Sequence, residues 1–224
     1  MTFIWSTYHK QFKPGNNMYK LYYQPGTASF VVHWLLIELE IPHELELIDF
    51  SCNQQKSTEY LKINPAGVVP TLLINNNYIS EFAGICMYII DKHAPGVLAP
   101  VANHADRAAY NQWMFYVSNT IQPTFRNWFY AEEFGTPELT KNITQKKLEA
   151  IFTRCDLQMN DGRPYFLGDQ LTAVDFLITM VMRWSRNMPK PADQWPNLGQ
   201  LAAKMKQMDS FKTLNHQEGL TDWN

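Results

Sequence analysis

The chain is short of cysteine, of net charge and of long apolar runs, and each shortage removes a class of protein. Cys52, Cys86 and Cys155 are the three cysteines of 224 residues, far apart and outside any Cys-x-x-Cys pair. An odd, scattered set supplies neither a disulfide framework nor a zinc knuckle, which fits a reducing compartment and predicts a cytoplasmic protein. The histidines, His9, His33, His43, His93, His104 and His216, form no pair at metal-ligand spacing, so no metal site is expected. Lys and Arg number 19 against 21 Asp and Glu, a formal net charge of -2, which leaves no electrostatic footprint for nucleic acid or an anionic membrane. The longest apolar stretch, residues 174–182, is broken by Asp175 and Thr179 and falls far short of the ~20 residues a membrane span needs. No internal repeat or low-complexity tract is present. The expected partner is a small molecule or a protein.

What is present suits a folded domain or two: 46% of the residues are hydrophobic, enough for a sizeable core. Residues 1–17 contain no acid, two lysines and several aromatics, and lack the apolar centre of a signal peptide. Met18 stands directly before the first strand, so residues 1–17 read as an extension ahead of a domain beginning at Met18, or as a segment packed on the body through Phe3, Trp5 and Phe12.

Tyr19-Lys20-Leu21-Tyr22-Tyr23 has strand composition and ends at the turn signal Gln24-Pro25-Gly26. Between residues 28 and 40, Val31, Val32, Leu35, Leu36 and Leu39 recur at helical spacing. Residues 43–48 alternate like a second strand, residues 54–63 suit a short helix, and two hairpin strands precede a helix over residues 82–93. The order strand, helix, strand, helix, strand, strand, helix predicts a thioredoxin-like α/β domain over residues 18–94. The breaker-rich residues 95–103 read as a linker, and residues 104–224 as an all-α domain, with helices at about 105–130, 137–160, 173–186 and 197–208. Pro123 falls inside the first of these and predicts a kink. In Gly168-Asp169-Gln170-Leu171-Thr172-Ala173-Val174-Asp175-Phe176, Thr172 and Asp175 fit a reciprocal helix cap with Leu171 stapled onto Phe176, a folding device rather than a site.

The densest segment is Asn64-Pro65-Ala66-Gly67-Val68-Val69-Pro70-Thr71, followed by Asn75-Asn76-Asn77 and Ser80-Glu81. Pro70 holds Val69 extended and donates nothing to a sheet, so the Val69 backbone can face a ligand. The asparagines tolerate positive φ and close a hairpin that returns Glu81 toward the proline. An extended edge beside a carboxylate suits a peptide-like ligand with a free amine. Glu81 also fits the plainer role of an acidic residue at a helix start.

On these residues the chain resembles the cytosolic glutathione transferases. Tyr22-Tyr23-Gln24-Pro25-Gly26-Thr27-Ala28-Ser29 is similar to the first strand and turn of bacterial beta-class members, residues 64–70 to the family's loop bearing a cis-proline, and residues 168–176 to its helical-domain cap. The likeness runs from about Met18 to Met208. It implies glutathione as co-substrate, a small-molecule electrophile, a homodimer formed through the third and fourth helices, and a role in detoxification. It also implies that Val69 and Pro70 grip the cysteinyl part of glutathione, while Glu81 and Phe82 hold its γ-glutamyl end.

Three positions depart from the family. Phe82 replaces the usual serine after the acid, removing a hydroxyl and setting a large ring beside the carboxylate pocket. Ala28 stands where the beta class has its cysteine, and Gln122 where it has a helical-domain histidine, which argues against mixed-disulfide chemistry. Neither Ser-Ser-Cys nor Cys-Pro stands at the helix entrance, which also argues against a glutathione-dependent isomerase or reductase. Lowering a thiol pKa from ~8.5 by about two units takes ~2.7 kcal/mol of thiolate stabilisation, which a hydroxyl donor at a helix N-terminus can supply. Ser29 and Tyr23 are equal candidates for that donor, Thr27 a weaker one. Ser29 also reads as a helix cap and Tyr23 as a core aromatic. Tyr116, Phe125, Trp128, Phe129 and Tyr130 offer lining for an electrophile pocket, and Arg126 and Gln122 polar groups within it, with a surface salt bridge as Arg126's other reading. A non-catalytic glutathione-transferase-like binding protein is the alternative function.

Overall fold

A computed structural model describes residues 19–223; the expectations for residues 1–17 and the Met18 boundary lie outside them. The described chain opens with β1 (Tyr19–Tyr23), α1 (Ser29–Glu38), β2 (His43–Leu47), α2 (Thr58–Ile63), β3 (Thr71–Ile74), β4 (Asn77–Ser80) and α3 (Phe82–His93). The sheet order is β2-β1-β3-β4, with β1 parallel to β2 and the other pairs antiparallel. This is the expected thioredoxin-like domain.

The sequence dictates most of this locally. Asn75 and Asn76, at φ 47° and 70°, make the two-residue turn of the β3-β4 hairpin, because positive φ at both positions matches strand twist. The helix expected over residues 54–63 is split. Ser57 takes an extended backbone and its hydroxyl accepts from Tyr60 N–H, so a 3-10 turn (Gln54–Lys56) precedes α2.

Beyond α3 the described residues form α4 (Arg107–Tyr116), α5 (Gln122–Phe129), α6 (Pro137–Leu157), α7 (Ala173–Trp184), α8 (Pro196–Lys206) and α9 (Asp209–Glu218), with one isolated bridge between Tyr165 and Gly168. A π turn, Val117–Ile121, joins α4 to α5. Pro123 sits in the first turn of α5 just after it, so its missing N–H falls where the ladder has already been widened. None of the described helices is long and apolar enough to cross a membrane.

One core serves both halves. Trp34 on α1 is fully buried, its ring centroid 4.7 Å from Phe176 on α7 and 5.0 Å from Phe211 on α9, and its Nε1–H donates to Ser210 Oγ at 2.9 Å. Under the other face of the sheet, Tyr22, Ile48, Tyr60 and Val69 form a smaller cluster, which ties α2 to the segment before β3.

The cap at residues 172–175 forms as expected. Asp175 accepts from Thr172 N–H at 2.8 Å, from the Thr172 hydroxyl at 3.0 Å and from Phe166 N–H at 2.7 Å. Burial outweighs these bonds and pushes its carboxyl up to about 6. Because the folded state holds this proton more tightly than the unfolded one, Asp175 contributes stability at acid pH that is lost as pH rises through about 6. Relative to Asp175→Asn, the wild type should therefore lose ~3 kcal/mol of unfolding free energy between about pH 3 and pH 7, read by urea denaturation at both pH values; a constant difference would contradict the assignment.

Candidate functional site

The strand register gathers three segments at one end of the sheet. Tyr22 pairs with Thr71 and Thr71 with Ser80, so the turn after Tyr23, the Val69-Pro70 peptide and Glu81 all leave the sheet on the same side.

The Val69-Pro70 peptide is cis, and the Val69 N–H and C=O have no hydrogen-bond partner among the described residues. Two buried side chains brace the segment from behind. Tyr60 Oη and Asn64 Nδ2 donate to Val68 C=O at 2.8 and 2.9 Å, and both also meet Thr71 Oγ1 at 3.0 Å. Burial pushes the Tyr60 phenol up, which keeps it a protonated donor. Lys56 Nζ donates to Gly67 C=O at 3.0 Å, and Gly67, at φ 62°, leaves no room for a Cβ, which would meet Gln55 C=O at 2.8 Å. Gln55 Oε1 and Gln24 Oε1 are buried acceptors with no partner among the described residues. Asn64→Leu removes one donor shared by Val68 and Thr71 inside a closed site, and should lower unfolding free energy by ~2–3 kcal/mol in urea denaturation; a change below ~0.5 kcal/mol would deny Asn64 the bracing role.

Glu81 is exposed, its carboxylate has no partner among the described residues, and its backbone sits at φ 69°, ψ 100° directly before α3. Such a conformation costs a non-glycine residue ~1–3 kcal/mol. The Glu81 side chain makes no cap hydrogen bond to its own helix, which leaves the first N–H groups of α3 open to an anion. Phe82, next to Glu81, has its ring buried in the main core, 5% exposed.

In the turn after β1, the Gln24 backbone is the hub. Its C=O accepts from Thr27 Oγ1 at 2.8 Å and Ser29 Oγ at 3.0 Å, its N–H donates to Ser29 Oγ at 3.2 Å, and the two hydroxyls lie 3.0 Å apart. Ser29 is fully buried, whereas Thr27 is half-buried. Ala28 begins α1 without a side-chain cap. Tyr23 packs edge-on against His33 at 6.0 Å, and burial, with Glu218 nearby, raises its phenol.

The cysteines lie elsewhere: Cys52 is exposed, while Cys86 and Cys155 are buried. Burial pushes both buried thiols up, Cys155 to about 12. Among the described residues no group of three or more His, Cys, Asp or Glu is arranged to hold a metal. Arg126 is half-exposed, pairs with Glu133 at 2.8 Å and stacks on Tyr130 at 4.4 Å. Gln122 opens α5 after the π turn. Phe125 is fully buried core, while Phe129 and Tyr130 are about half exposed. A groove of about 950 Å³ between α8 and α9, lined by Lys206, Phe211, Lys212 and His216 among others, shares no residue with the sheet-end site.

The fold, with these segments gathered at one end of its sheet, defines a thioredoxin-like domain backed by a helical one. Comparison with known proteins agrees. Residues 28–92 match the model "Glutathione S-transferase, N-terminal domain" and residues 118–215 the corresponding C-terminal domain. The chain is 31% identical over 170 residues to "Glutathione S-transferase GST-4.5" of Xanthomonas campestris pv. campestris, covering 74% of this chain and 82% of that protein. Among solved structures it is similar to a ternary complex of BphK, a bacterial glutathione transferase, with TM-score 0.81, 28% identity and coverage of 90% and 100% of the two chains. It shares the fold of a glutathione transferase homologue from Sulfitobacter solved with bound glutathione, with TM-score 0.82, 22% identity and coverage of 91% and 99%. The chain belongs to the glutathione S-transferase family.

Proposed function

We propose that this transferase adds the thiolate of glutathione to a small hydrophobic electrophile. The observation that carries the reading is the Val69 backbone and the Glu81 carboxylate, neither with a partner among the described residues, both at the end of the sheet where α1 and α3 begin. Val69 would pair backbone to backbone with the cysteinyl residue next to cis Pro70. Glu81 would accept from the γ-glutamyl ammonium, and the N–H groups at Phe82 and Ala83 would receive its carboxylate. The sulfur would then meet the hydroxyls of Thr27 and Ser29 and the N-terminus of α1. Ser29 is enclosed, so it acts best through Thr27, its neighbour at 3.0 Å, while Tyr23 is the competing donor. The Sulfitobacter homologue's bound glutathione supports the choice of ligand. Gln122 and Arg126 border the electrophile side, and Arg126 must exchange Glu133 for a substrate to contribute there. The protein would work as a cytoplasmic homodimer with no nucleic-acid or membrane partner; sedimentation at low concentration checks the dimer, against which a 26.1 kDa species would count.

A second reading, a binding protein without catalysis, draws on the full internal commitment of the Ser29 hydroxyl and on Ala28 in place of a cysteine. Retention on immobilised glutathione together with conjugation of an activated aryl halide separates the two. Both are expected; retention without conjugation would support the binder, and failure of both would sink glutathione as ligand.

A further inference from the structure

The turn that would receive the thiol is held from the far end of the chain. Gly26 has one backbone donor and one acceptor, and helical-domain side chains engage both: Glu218 Oε2 accepts from its N–H at 2.8 Å, and Trp184 Nε1–H donates to its C=O at 2.9 Å. Arg183, 2% exposed, closes the space behind, where a Cβ on Gly26 would meet its Nη1 at 2.9 Å; the φ of 68° also calls for glycine. Arg183 is in turn paired with Asp222.

Glu218 ends α9, and its side chain is fully buried. Its other oxygen, Oε1, accepts from His33 Nδ1 at 2.9 Å, and His33 Nε2 lies 2.9 Å from Gln217 Oε1. Tyr23 lies edge-on to that same imidazole. An enclosed carboxylate is a poor way to glue two domains, since apolar side chains of equal volume pack there at least as well. What the carboxylate adds is direction: it fixes the Gly26 peptide plane, and with it the Gln24 carbonyl on which the Thr27 and Ser29 hydroxyls hang.

We propose that Glu218 is a positioning residue for thiol activation, acting through Gly26, so that the C-terminal helix aims the hydroxyls of the first turn. The proposal rests on the transferase reading. Glu218 does not touch the sulfur; it determines where the donors point, and misdirection of a donor lowers the rate more than the affinity.

The test uses the full chain with E218M, which roughly keeps the side chain's volume and removes the acceptor for the Gly26 N–H, and W184F, which releases the Gly26 carbonyl and trims the ring packed on Phe125 and Phe129. In E218M, kcat for aryl halide conjugation should fall about tenfold while the Kd for glutathione stays within about twofold. The ultraviolet thiolate band of bound glutathione should titrate at higher pH than in the wild type, a change that loss of packing alone does not produce. W184F should show the same split to a smaller degree, and it carries the test if E218M does not fold. Unchanged kcat and thiolate titration in the variants, with an active wild type, overturns the positioning role alone. Equal loss of kcat and binding reassigns Glu218 to plain structure. A wild type without conjugating activity overturns the transferase reading itself, and the proposal with it.

Discussion

Glu81→Gly should give a protein that is more stable than the wild type and almost unable to hold glutathione. At φ 69° and ψ 100° the backbone of Glu81 is one that side-chain-bearing residues rarely adopt, and relief of ~1–3 kcal/mol of strain exceeds the ~0.5–1 kcal/mol that glycine's unfolded-state freedom takes back. A net gain of ~1 kcal/mol raises the melting temperature of a chain this long by about 2–4 °C. Losing a charge-assisted contact to the ligand's ammonium should weaken glutathione binding about 100-fold. Calorimetric melting and glutathione titration of the same preparation read both effects. Lower stability would show that the strain is not there to be released, and unchanged affinity would remove Glu81 from the binding site.

Thr27→Val should lower kcat about 100-fold with little change in glutathione affinity, the loss expected when one preorganised donor to a developing anion is removed. The half-buried Thr27 hydroxyl can turn from Gln24 C=O toward a sulfur while accepting from Ser29 behind it. Ser29→Ala should cost less, about tenfold, because it removes the supporting hydroxyl rather than the one in contact. Tyr23→Phe should stay within about threefold, since Tyr23 packs against His33 and the core. Rates under saturating glutathione rank the three. If Tyr23→Phe proves the most damaging, the phenol is the donor and the turn's hydroxyls are structural.

The fold was legible wherever local chemistry decided it. The asparagines at 75 and 76 made the hairpin, Thr172 and Asp175 made the cap, and the alternation at residues 43–47 made β2. The final helix was not legible, because residues 209–218 carry few apolar side chains, with Phe211 and Leu214 reaching the core. Its helicity comes from packing on α1, which no local pattern announces. At the site, Pro70 and Glu81 signalled an extended edge and a carboxylate, but the bracing by Tyr60 and Asn64 did not show, since a tyrosine inside a helix reads as core. The burial of Phe82 in the main core was not legible either, because a sequence gives a residue's neighbours and not the side to which its ring turns. Glu218 was invisible for a simpler reason: it lies 192 positions from the glycine it holds.

The shared core around Trp34 also has a temporal meaning. On the ribosome β1 and α1 are made long before the partners of Trp34 on α7 and α9, and before the carboxylate that takes the Gly26 N–H. The nascent α/β half must therefore wait with its largest apolar side chain uncovered, the state in which chains recruit chaperones or aggregate. Chains released before residue 211 lack Phe211, so translational truncation would yield an insoluble product rather than a weakened enzyme.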